Sequence, residues 1–134
     1  MFKYNHLIKV YYRDVDQMGI VYYTRYLEYF EEARTELLDS LGLTISLIED
    51  RGIQLPVITS HCDYKKGAKL EDKLVIEASI ADIPKAKLNI NYNIFHKVSN
   101  KQLVKGYTRH AFTDKLGNPM RVPKFILDKI KIHF

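Results

Sequence analysis

The sequence is poor in cysteine and has no long apolar run, and both deficits limit what the chain can be. A single cysteine, Cys62, excludes an intrachain disulfide and a cysteine-based zinc site, and it is typical of a reducing compartment. No apolar stretch approaches the roughly 20 residues that a membrane-spanning helix needs. The first ten residues alternate like a strand and lack the apolar core of a signal peptide. The sequence therefore predicts a cytoplasmic protein without an integral membrane segment.

Motifs rich in glycine or histidine are missing as well. Gly accounts for only 6 of 134 residues, and none of them forms a phosphate-binding loop. The five histidines lack H-x-x-H or H-E-x-x-H spacing, so no metal site is predicted. His61 and Cys62 are neighbours in a predicted strand, where successive side chains point to opposite faces. We therefore expect a buried, unreactive thiol and no nucleophile–base pair.

The charge is distributed unevenly along a chain whose length and 46% hydrophobic content fit one globular domain, residues 1–134. Residues 1–84 contain 10 Lys or Arg and 14 Asp or Glu, whereas residues 85–134 contain 11 and 2, so net charges of −4 and +9 make up the total of +5. The basic part attracts polyanions, such as nucleic acid, an anionic membrane surface or a phosphorylated cofactor. A solvated basic surface that only aids solubility remains an alternative.

A long helix is the main feature of the first third of the chain. After Gly19, apolar residues recur with helical spacing over about four turns; they are Leu27, Phe30, Ala33, Leu37, Leu38 and Leu41. Gly42 stands where a left-handed residue ends a helix. Four tyrosines widen the apolar surface beyond one stripe, namely Tyr22, Tyr23, Tyr26 and Tyr29. A helix that apolar is expected to be wrapped by a sheet.

Alternating patterns predict strands for most of the remaining chain. One strand is expected at 6–12, before the helix, and four more at 53–64, 73–83, 87–98 and 102–113, with short helices near 44–51 and after Pro123. The predicted fold class is α+β, a long central helix wrapped by a curved antiparallel sheet of about five strands. Its edge strands can pair between subunits, which predicts a homo-oligomer.

Two carboxylates, Asp14 and Asp16, lie directly before the helix and are candidates for chemistry. If the strand continues that far, alternation places both on one side, where they can serve acid–base or nucleophilic catalysis. Turn-forming and helix-capping aspartates are the structural alternative. Gly19 permits a tight turn, and unpaired N–H groups at the helix start can polarise a carbonyl held near the aspartates.

The segment Y-Y-R-D-V-D-Q-M-G-I-V-Y-Y-T-R-Y-L-E-Y-F-E-E-A-R, residues 11–34, resembles the hotdog-fold thioesterases. It is similar to the 4-hydroxybenzoyl-CoA thioesterase-like group, which includes the Tol–Pal-associated acyl-CoA thioesterases. The shared features are D-x-D-x-x-G-[IV]-V-[YW], the aromatic helix start and E-x-A-R within the helix. Residues 64–68, Y-K-K-G-A, resemble the family's Y-x-K-P-A turn, with Gly67 in place of the usual proline. The strand order and length agree across essentially the whole chain.

The resemblance implies a hotdog thioesterase that hydrolyses acyl-CoA to a free acid and coenzyme A and needs no cofactor. It assigns the catalytic carboxylate to Asp16, as nucleophile or general base, and the oxyanion-stabilising backbone N–H to the helix start near Tyr23. The implied acyl pocket involves the residues from Gly19 to Tyr22 (Gly19, Ile20, Val21, Tyr22) and Tyr26, and the basic side chains proposed for the phosphates of coenzyme A are Lys65, Lys66 and Arg121. It also implies active sites between two subunits and dimers that pair into a homotetramer. Many relatives have histidine where this chain has Tyr23, so a histidine side-chain role is absent here.

Three alternatives remain open at this point. A hotdog hydratase or dehydratase usually needs a histidine, and none lies near Asp16 in the sequence. A non-catalytic module that binds acyl-CoA or an acyl-carrier protein needs no such group. A nucleic-acid-binding role is the weakest, because the aromatic residues of the basic part are more typical of a strand core than of a stacking platform; they are Tyr92, Phe95, Tyr107 and Phe112.

Overall fold

A computed structural model describes all residues, 1–134, and shows an antiparallel sheet packed against one long helix. The strands are β1 (Phe2–Lys9), β2 (Val57–Tyr64), β3 (Lys73–Ile80), β4 (Lys87–His96), β5 (Gln102–Thr113) and the two-residue β6 (Pro119–Met120). The sheet order is β1-β3-β4-β5-β2, with β6 paired to β5, so β1 and β2 form the long edges. The helices are α1 (Arg25–Ser40), α2 (Ile45–Asp50) and α3 (Lys124–Lys131), and a 3-10 turn covers Tyr12–Asp14. None of these helices is both long and apolar enough to cross a membrane.

The core lies between α1 and the concave face of the sheet. Alternate residues of β3 and β4 are buried there, as the period of two predicted; they include Leu74, Ile76, Ala78, Ile80, Leu88, Ile90, Tyr92 and Ile94. The Phe30 ring of α1 stacks on the Tyr92 ring, with centroids 4.1 Å apart and planes 6° from parallel. Burying a side chain of this size contributes about 1.5–3 kcal/mol to stability. The contact fixes α1 along the middle of the sheet.

Helix α1 confirms most of the predicted apolar face and corrects one position. Phe30, Ala33, Leu37 and Leu38 are buried, and Gly42 ends the helix with a φ of +76°. The N–H of Leu43 donates to the carbonyl of Leu38, which satisfies one of the last free carbonyls. Leu27 was predicted to be in the core but is 39% exposed. The buried face is centred on Tyr26, Tyr29 and Phe30 instead, so Leu27 lies at its border.

The first strand begins and ends earlier than predicted. It covers Phe2–Lys9 instead of 6–12. Val10 exchanges backbone hydrogen bonds with Glu71 and Asp72, and the chain after it folds into the 3-10 turn, which ends the strand. The strand therefore does not continue to the aspartates. Alternation does not govern the directions of Asp14 and Asp16, and the expectation that both lie on one side of a strand is wrong.

Candidate active site

The loop between β1 and α1 is held from inside by Asp14. Its carboxylate accepts the N–H of Tyr11 at 3.0 Å, and its backbone carbonyl accepts the N–H of Tyr22 at 2.9 Å. Asp14 is only 4% exposed, with the Nε of Arg13 3.9 Å from its Oδ1. The hydroxyl of Tyr29 is buried and has no hydrogen-bond partner of good geometry. Its burial raises the pKa of Tyr29, and the negative charge of the Asp14 carboxylate raises it further. Asp14 thus ties the 3-10 turn to the start of α1.

Asp16 sits in a small hairpin at the tip of this loop. Its N–H donates to the carbonyl of Ile20 at 2.9 Å, and its carbonyl accepts the N–H of Gly19 at 3.0 Å. Gly19 has a φ of +77°, which a residue with a Cβ rarely adopts, so glycine suits the turn. The Asp16 Oδ1 accepts the N–H of Met18 at 2.8 Å, and its Oδ2 makes no hydrogen bond within the chain. One carboxylate oxygen is therefore fixed and the other is free to react.

Free amide donors lie directly after the hairpin, where α1 begins. The N–H groups of Tyr23 and Thr24 donate to no group of the chain, whereas the N–H of Tyr22 is taken by Asp14. Thr24 has helical backbone angles, and its side chain does not cap the helix. These N–H groups lie at the positive end of the helix dipole, which favours a negative oxygen. The N–H of Tyr23, which the resemblance assigns to the oxyanion, is thus unpaired in this chain, and the N–H of Thr24 beside it is a second free donor.

Residues 64–69 form a wall that fixes the hairpin. The N–H of Val21 donates to the carbonyl of Ala68 at 2.8 Å, and the hydroxyl of Tyr26 accepts the N–H of Ala68 at 3.1 Å. The hydroxyl of Tyr64 donates to the carbonyl of Tyr23 at 3.3 Å. Burial raises the pKa of Tyr26, and partial burial together with the Cys62 thiol raises the pKa of Tyr64 to about 12, so both hydroxyls are neutral near pH 7. A Cβ at Gly67 would lie 3.3 Å from the Ile20 side chain, which leaves little room beside the hairpin.

The predicted acyl-pocket residues fall into two groups. Val21 and Tyr26 are 3% and 2% exposed and belong to the core of this chain, so they support the hairpin from below. Tyr22 and Tyr23 are 46% and 57% exposed, and their rings contact each other with centroids 4.9 Å apart. Ile20 is half-buried and Gly19 is exposed. The structure thus brings the whole set from Gly19 to Tyr26 together with Asp16.

The predicted phosphate contacts are only partly together. Lys66 lines a hollow of about 270 Å³ with Lys69, Lys101 and His96, while Lys65 is its exposed neighbour. Arg121 follows β6 and is not part of this hollow. Lys69 and Lys101 were missed by the sequence. The K-K-G-A-K run, residues 65–69, indicates a basic segment. It does not reveal that the turn at Lys101, between β4 and β5, lies beside that segment in the fold.

A cavity that combines apolar and polar residues lies away from Asp16. Its volume is about 320 Å³, and it is lined by α1, α2, the segment before β2, and the sheet residues Leu88, Ile90 and His110. His110 is 3% exposed and is hydrogen-bonded at both ring nitrogens. Because the Leu55 carbonyl can only accept, Nδ1 donates to it at 3.1 Å, and Nε2 accepts the Thr108 hydroxyl at 2.9 Å. The Tyr92 hydroxyl lies 2.7 Å from Thr108 and completes the chain of bonds.

Other sequence candidates play no part in this site. Cys62 is half-buried, and burial raises the pKa of its thiol; His61 lies on the opposite face, stacked on Tyr107 and 3.1 Å from Asp63. Tyr92 and Phe112 have no exposed surface, so they offer no stacking face to a base. No cluster of three His, Cys, Asp or Glu side chains is arranged to hold a metal ion.

Comparison with known proteins agrees with this geometry. The model of the thioesterase-like superfamily matches residues 10–130. The acyl-CoA thioesterase YbgC of Haemophilus influenzae is 40% identical over 82 residues, 60% of each chain, and the putative acyl-CoA thioesterase YneP of Bacillus subtilis is 33% identical over 108 residues, 81% of this chain and 78% of the relative. The crystal structure of a 4-hydroxybenzoyl CoA thioesterase complexed with 4-hydroxybenzoyl CoA superposes with a TM-score of 0.87 at 17% identity, over 96% of this chain and 99% of the other.

The superfamily match covers the Asp16 hairpin, α1 and strands β2 to β6. The chain therefore belongs to the thioesterase-like superfamily, and its predicted class, a thioester hydrolase with the hotdog fold, is confirmed.

Proposed function

We propose that this protein hydrolyses acyl-CoA thioesters and that Asp16 is the catalytic carboxylate. The observation that carries the proposal is the juxtaposition of the free Asp16 Oδ2 with the free N–H groups of Tyr23 and Thr24, all within one pinned hairpin and helix start. A thioester carbonyl whose oxygen accepts these amides presents its carbon to the Asp16 side. Preorganised donors of this kind stabilise the oxyanion of the tetrahedral intermediate.

The reaction balances with Asp16 in either role. As a general base, Asp16 takes a proton from water while the water oxygen bonds to the carbonyl carbon; the C–S bond then breaks, and the proton passes to the thiolate of coenzyme A. As a nucleophile, Asp16 forms a mixed anhydride, releases the thiolate, and is freed by water. A single turnover in ¹⁸O-water that labels the Asp16 carboxylate establishes the anhydride route, because the general-base route delivers the label only to the product acid.

A second subunit is part of the proposal. Asp16 is half-exposed, and it lines neither the cavity at His110 nor the hollow at Lys66. Hydrolysis of a reactive ester needs walls that exclude bulk water. A partner covering the hairpin supplies such walls, consistent with the predicted homo-oligomer, and the hollow of Lys66, Lys69 and Lys101 offers positive charge for the phosphates of coenzyme A.

The test is thiol release from a panel of acyl-CoA esters by the wild type and by Asp16→Asn. The amide keeps the Oδ1 acceptor for Met18, so the fold should be retained, while kcat should fall by about 10²–10⁴-fold. Asp82→Asn is the matched control, since Asp82 is exposed and should leave the rate unchanged. Near-normal kcat in Asp16→Asn would refute the role of Asp16. Binding of the esters without hydrolysis by the wild type would favour the alternative of a non-catalytic acyl-CoA or acyl-carrier-protein binding module.

A further inference from the structure

Three neighbouring hollows lie along α1, from the Asp14 loop to the cavity at His110. The first hollow includes Asp14 and Arg25 and ends at Glu28 and Glu31. The second begins at Glu28 and Glu31, runs between α1 and Ser60 of β2, and ends at Arg34. The cavity of about 320 Å³ begins at Glu31 and Arg34. Each hollow thus shares wall residues with the next, and all three lie along one side of α1.

Half of the 14 residues that line the cavity are hydrophobic, and the cation Arg34 lies among them. Leu38, Ile48 and Ile90 contribute apolar walls, and all three are buried. Arg34 is half-buried and forms no salt bridge with any carboxylate. Its guanidinium lies near the Tyr92 hydroxyl but does not complete a regular hydrogen bond with it. A partly buried cation without an acceptor is unfavourable unless a ligand supplies one.

The other charges of the cavity select against an anionic acceptor. Burial lowers the pKa of His110, and the nearby Arg34 adds to this effect, so the imidazole is neutral at pH 7 and its ring nitrogens are already engaged. Glu31 and Glu49 are exposed at the rim, where they repel a carboxylate that enters. An uncharged oxygen acceptor is the group that fits between the rim and Arg34.

We propose that the cavity binds the distal part of the acyl chain and that Arg34 donates to an uncharged oxygen, such as a hydroxyl, near its end. This inference rests on the proposed function, because it assumes that the thioester lies at Asp16 and Tyr23. The substrates are then medium- to long-chain acyl-CoA esters that carry a remote hydroxyl group, and Arg34 is a specificity-determining residue.

The length of α1 sets the length of the acyl chain. Ten residues separate Thr24 from Arg34, which is about 15 Å along the helix axis at 1.5 Å per residue. An extended chain covers about 3.5 Å per three bonds, so about 13 bonds link the thioester to the guanidinium. Dodecanoyl chains match this span, and acetyl or benzoyl groups do not reach Arg34.

The test compares two non-hydrolysable thioethers of coenzyme A, dodecyl and ω-hydroxydodecyl, by titration calorimetry. Wild type should bind the hydroxylated compound about tenfold more tightly, which corresponds to one hydrogen bond to a charged group. Arg34→Met should lose this preference, and Arg34→Lys should retain part of it. Arg109→Met is the control, because Arg109 is exposed on the outer face of the sheet and should keep the preference. Thermal melting of each variant verifies folding.

Each outcome separates this inference from the proposed function. A tenfold preference that is lost in Arg34→Met and kept in Arg109→Met supports the inference. This holds even if the matching thioesters are not hydrolysed, in which case the proposed function alone fails. Hydrolysis of dodecanoyl-CoA without any preference for the hydroxyl, or with the preference kept in Arg34→Met, overturns the inference alone. Tighter binding of the ω-carboxyl analogue than of the ω-hydroxyl analogue also overturns it, because the rim carboxylates should repel that group.

Discussion

Asp14 and Asp16 are two residues apart, yet their carboxylates have different surroundings and different uses. Asp14 is buried and bonded to the Tyr11 N–H, and its carbonyl takes the Tyr22 N–H. Asp16 is half-exposed and has a free oxygen. Both aspartates form turns, because Asp14 accepts the N–H of Tyr11 and Asp16 accepts the N–H of Met18; catalysis by Asp16 stays a prediction. Asp14 acts by holding the backbone on which Asp16 and Tyr23 sit.

The buried His110 predicts a pH dependence of stability. Burial lowers its pKa in the folded state, so the unfolded chain binds a proton more readily as the pH falls. Protonation also places a hydrogen on Nε2, where the ring now accepts the Thr108 hydroxyl. The free energy of unfolding should therefore decrease below the usual histidine pKa of about 6.5, by at most about 1.4 kcal/mol per pH unit from this group.

The measurement is urea unfolding of wild type and His110→Gln at about pH 7.5 and about pH 5. The variant is less stable at the higher pH but should lose less stability between the two. The exposed His61 provides a control, since His61→Gln should follow the wild-type pH dependence. An equal decrease for wild type and His110→Gln would contradict the role of His110.

At the scale of elements, α1 connects every part of the proposed site. Its start offers the free N–H groups, its middle stacks on Tyr92 through Phe30, and its side lines the hollows that lead to the cavity. The Phe30 ring of α1 packs closely against Gly106 of β5. A Cβ there would lie 2.8 Å from the Phe30 ring and would collide with the backbone carbonyl of His61. Glycine is required at this position by space, without any unusual backbone angle.

Gly106→Ala should therefore destabilise the protein by about 1–3 kcal/mol, the range of overpacked cores, because α1 or β2 must move to admit the methyl group. Chemical denaturation measures the loss. Lys105→Ala, on the exposed side of the same strand, should change stability by less than about 0.5 kcal/mol. Equal stability of Gly106→Ala and wild type would mean that α1 is not held as closely to the sheet as the structure indicates.

The local sequence pattern was sufficient to predict the elements that depend on a single buried face or a single backbone angle. The period of two in β3 and β4, the helical spacing in α1 and the stop at Gly42 each depend on one buried face or one backbone angle. The same method failed at Leu27 and at the end of β1. Leu27 is apolar but lies at the border of the helix face, and β1 ends because the Asp14 side chain competes for the Tyr11 N–H. A hydrogen bond from a side chain to the backbone produces no periodic pattern of apolar residues, so the sequence does not reveal it.

At the scale of the molecule, the two edges of the sheet differ in their ability to pair. Edge β1 carries exposed Lys3 and Lys9, which discourage pairing, whereas edge β2 begins with four uncharged residues, Val57, Ile58, Thr59 and Ser60. Val57 and Ile58 are 46% and 47% exposed in the single chain. We expect two copies to associate through β2, which places a partner beside the second hollow and near α1.

Ile58→Glu should therefore shift the protein to monomers, because two carboxylates would be buried close to the two-fold axis. Light scattering after gel filtration measures the mass. Leu7→Glu introduces the same charge on β1, where Leu7 is 57% exposed, and should leave the oligomer intact. A monomeric wild type, or an Ile58→Glu protein that remains an oligomer, would contradict pairing through β2. The mass measured for the wild type also distinguishes a dimer from a tetramer.

For the site, as for the fold, the sequence predicted groups that are close along the chain and missed groups that only the fold brings together. The hairpin with Asp16, Gly19 and the Tyr23 N–H lies within one continuous segment, so residue types and the resemblance were enough to propose it as a site. The cavity was missed because its walls come from α1, α2, the 53–56 segment and two strands. Lys69 and Lys101 were missed for the same reason, since they meet only after β5 has folded back.

The order of strands has a consequence for how the chain is made. Strand β1, the first to be synthesised, pairs only with β3, some 70 residues later, and Ile126 and Ile130 of α3 complete the core. At about 5–20 residues per second, a ribosome needs about 4–17 s to extend the chain from the end of α1 to the start of α3. During that interval the apolar face of α1 has no complete sheet to cover it. The apolar face of α1 therefore stays exposed on the nascent chain until the later strands are made, and α3 completes the core after them.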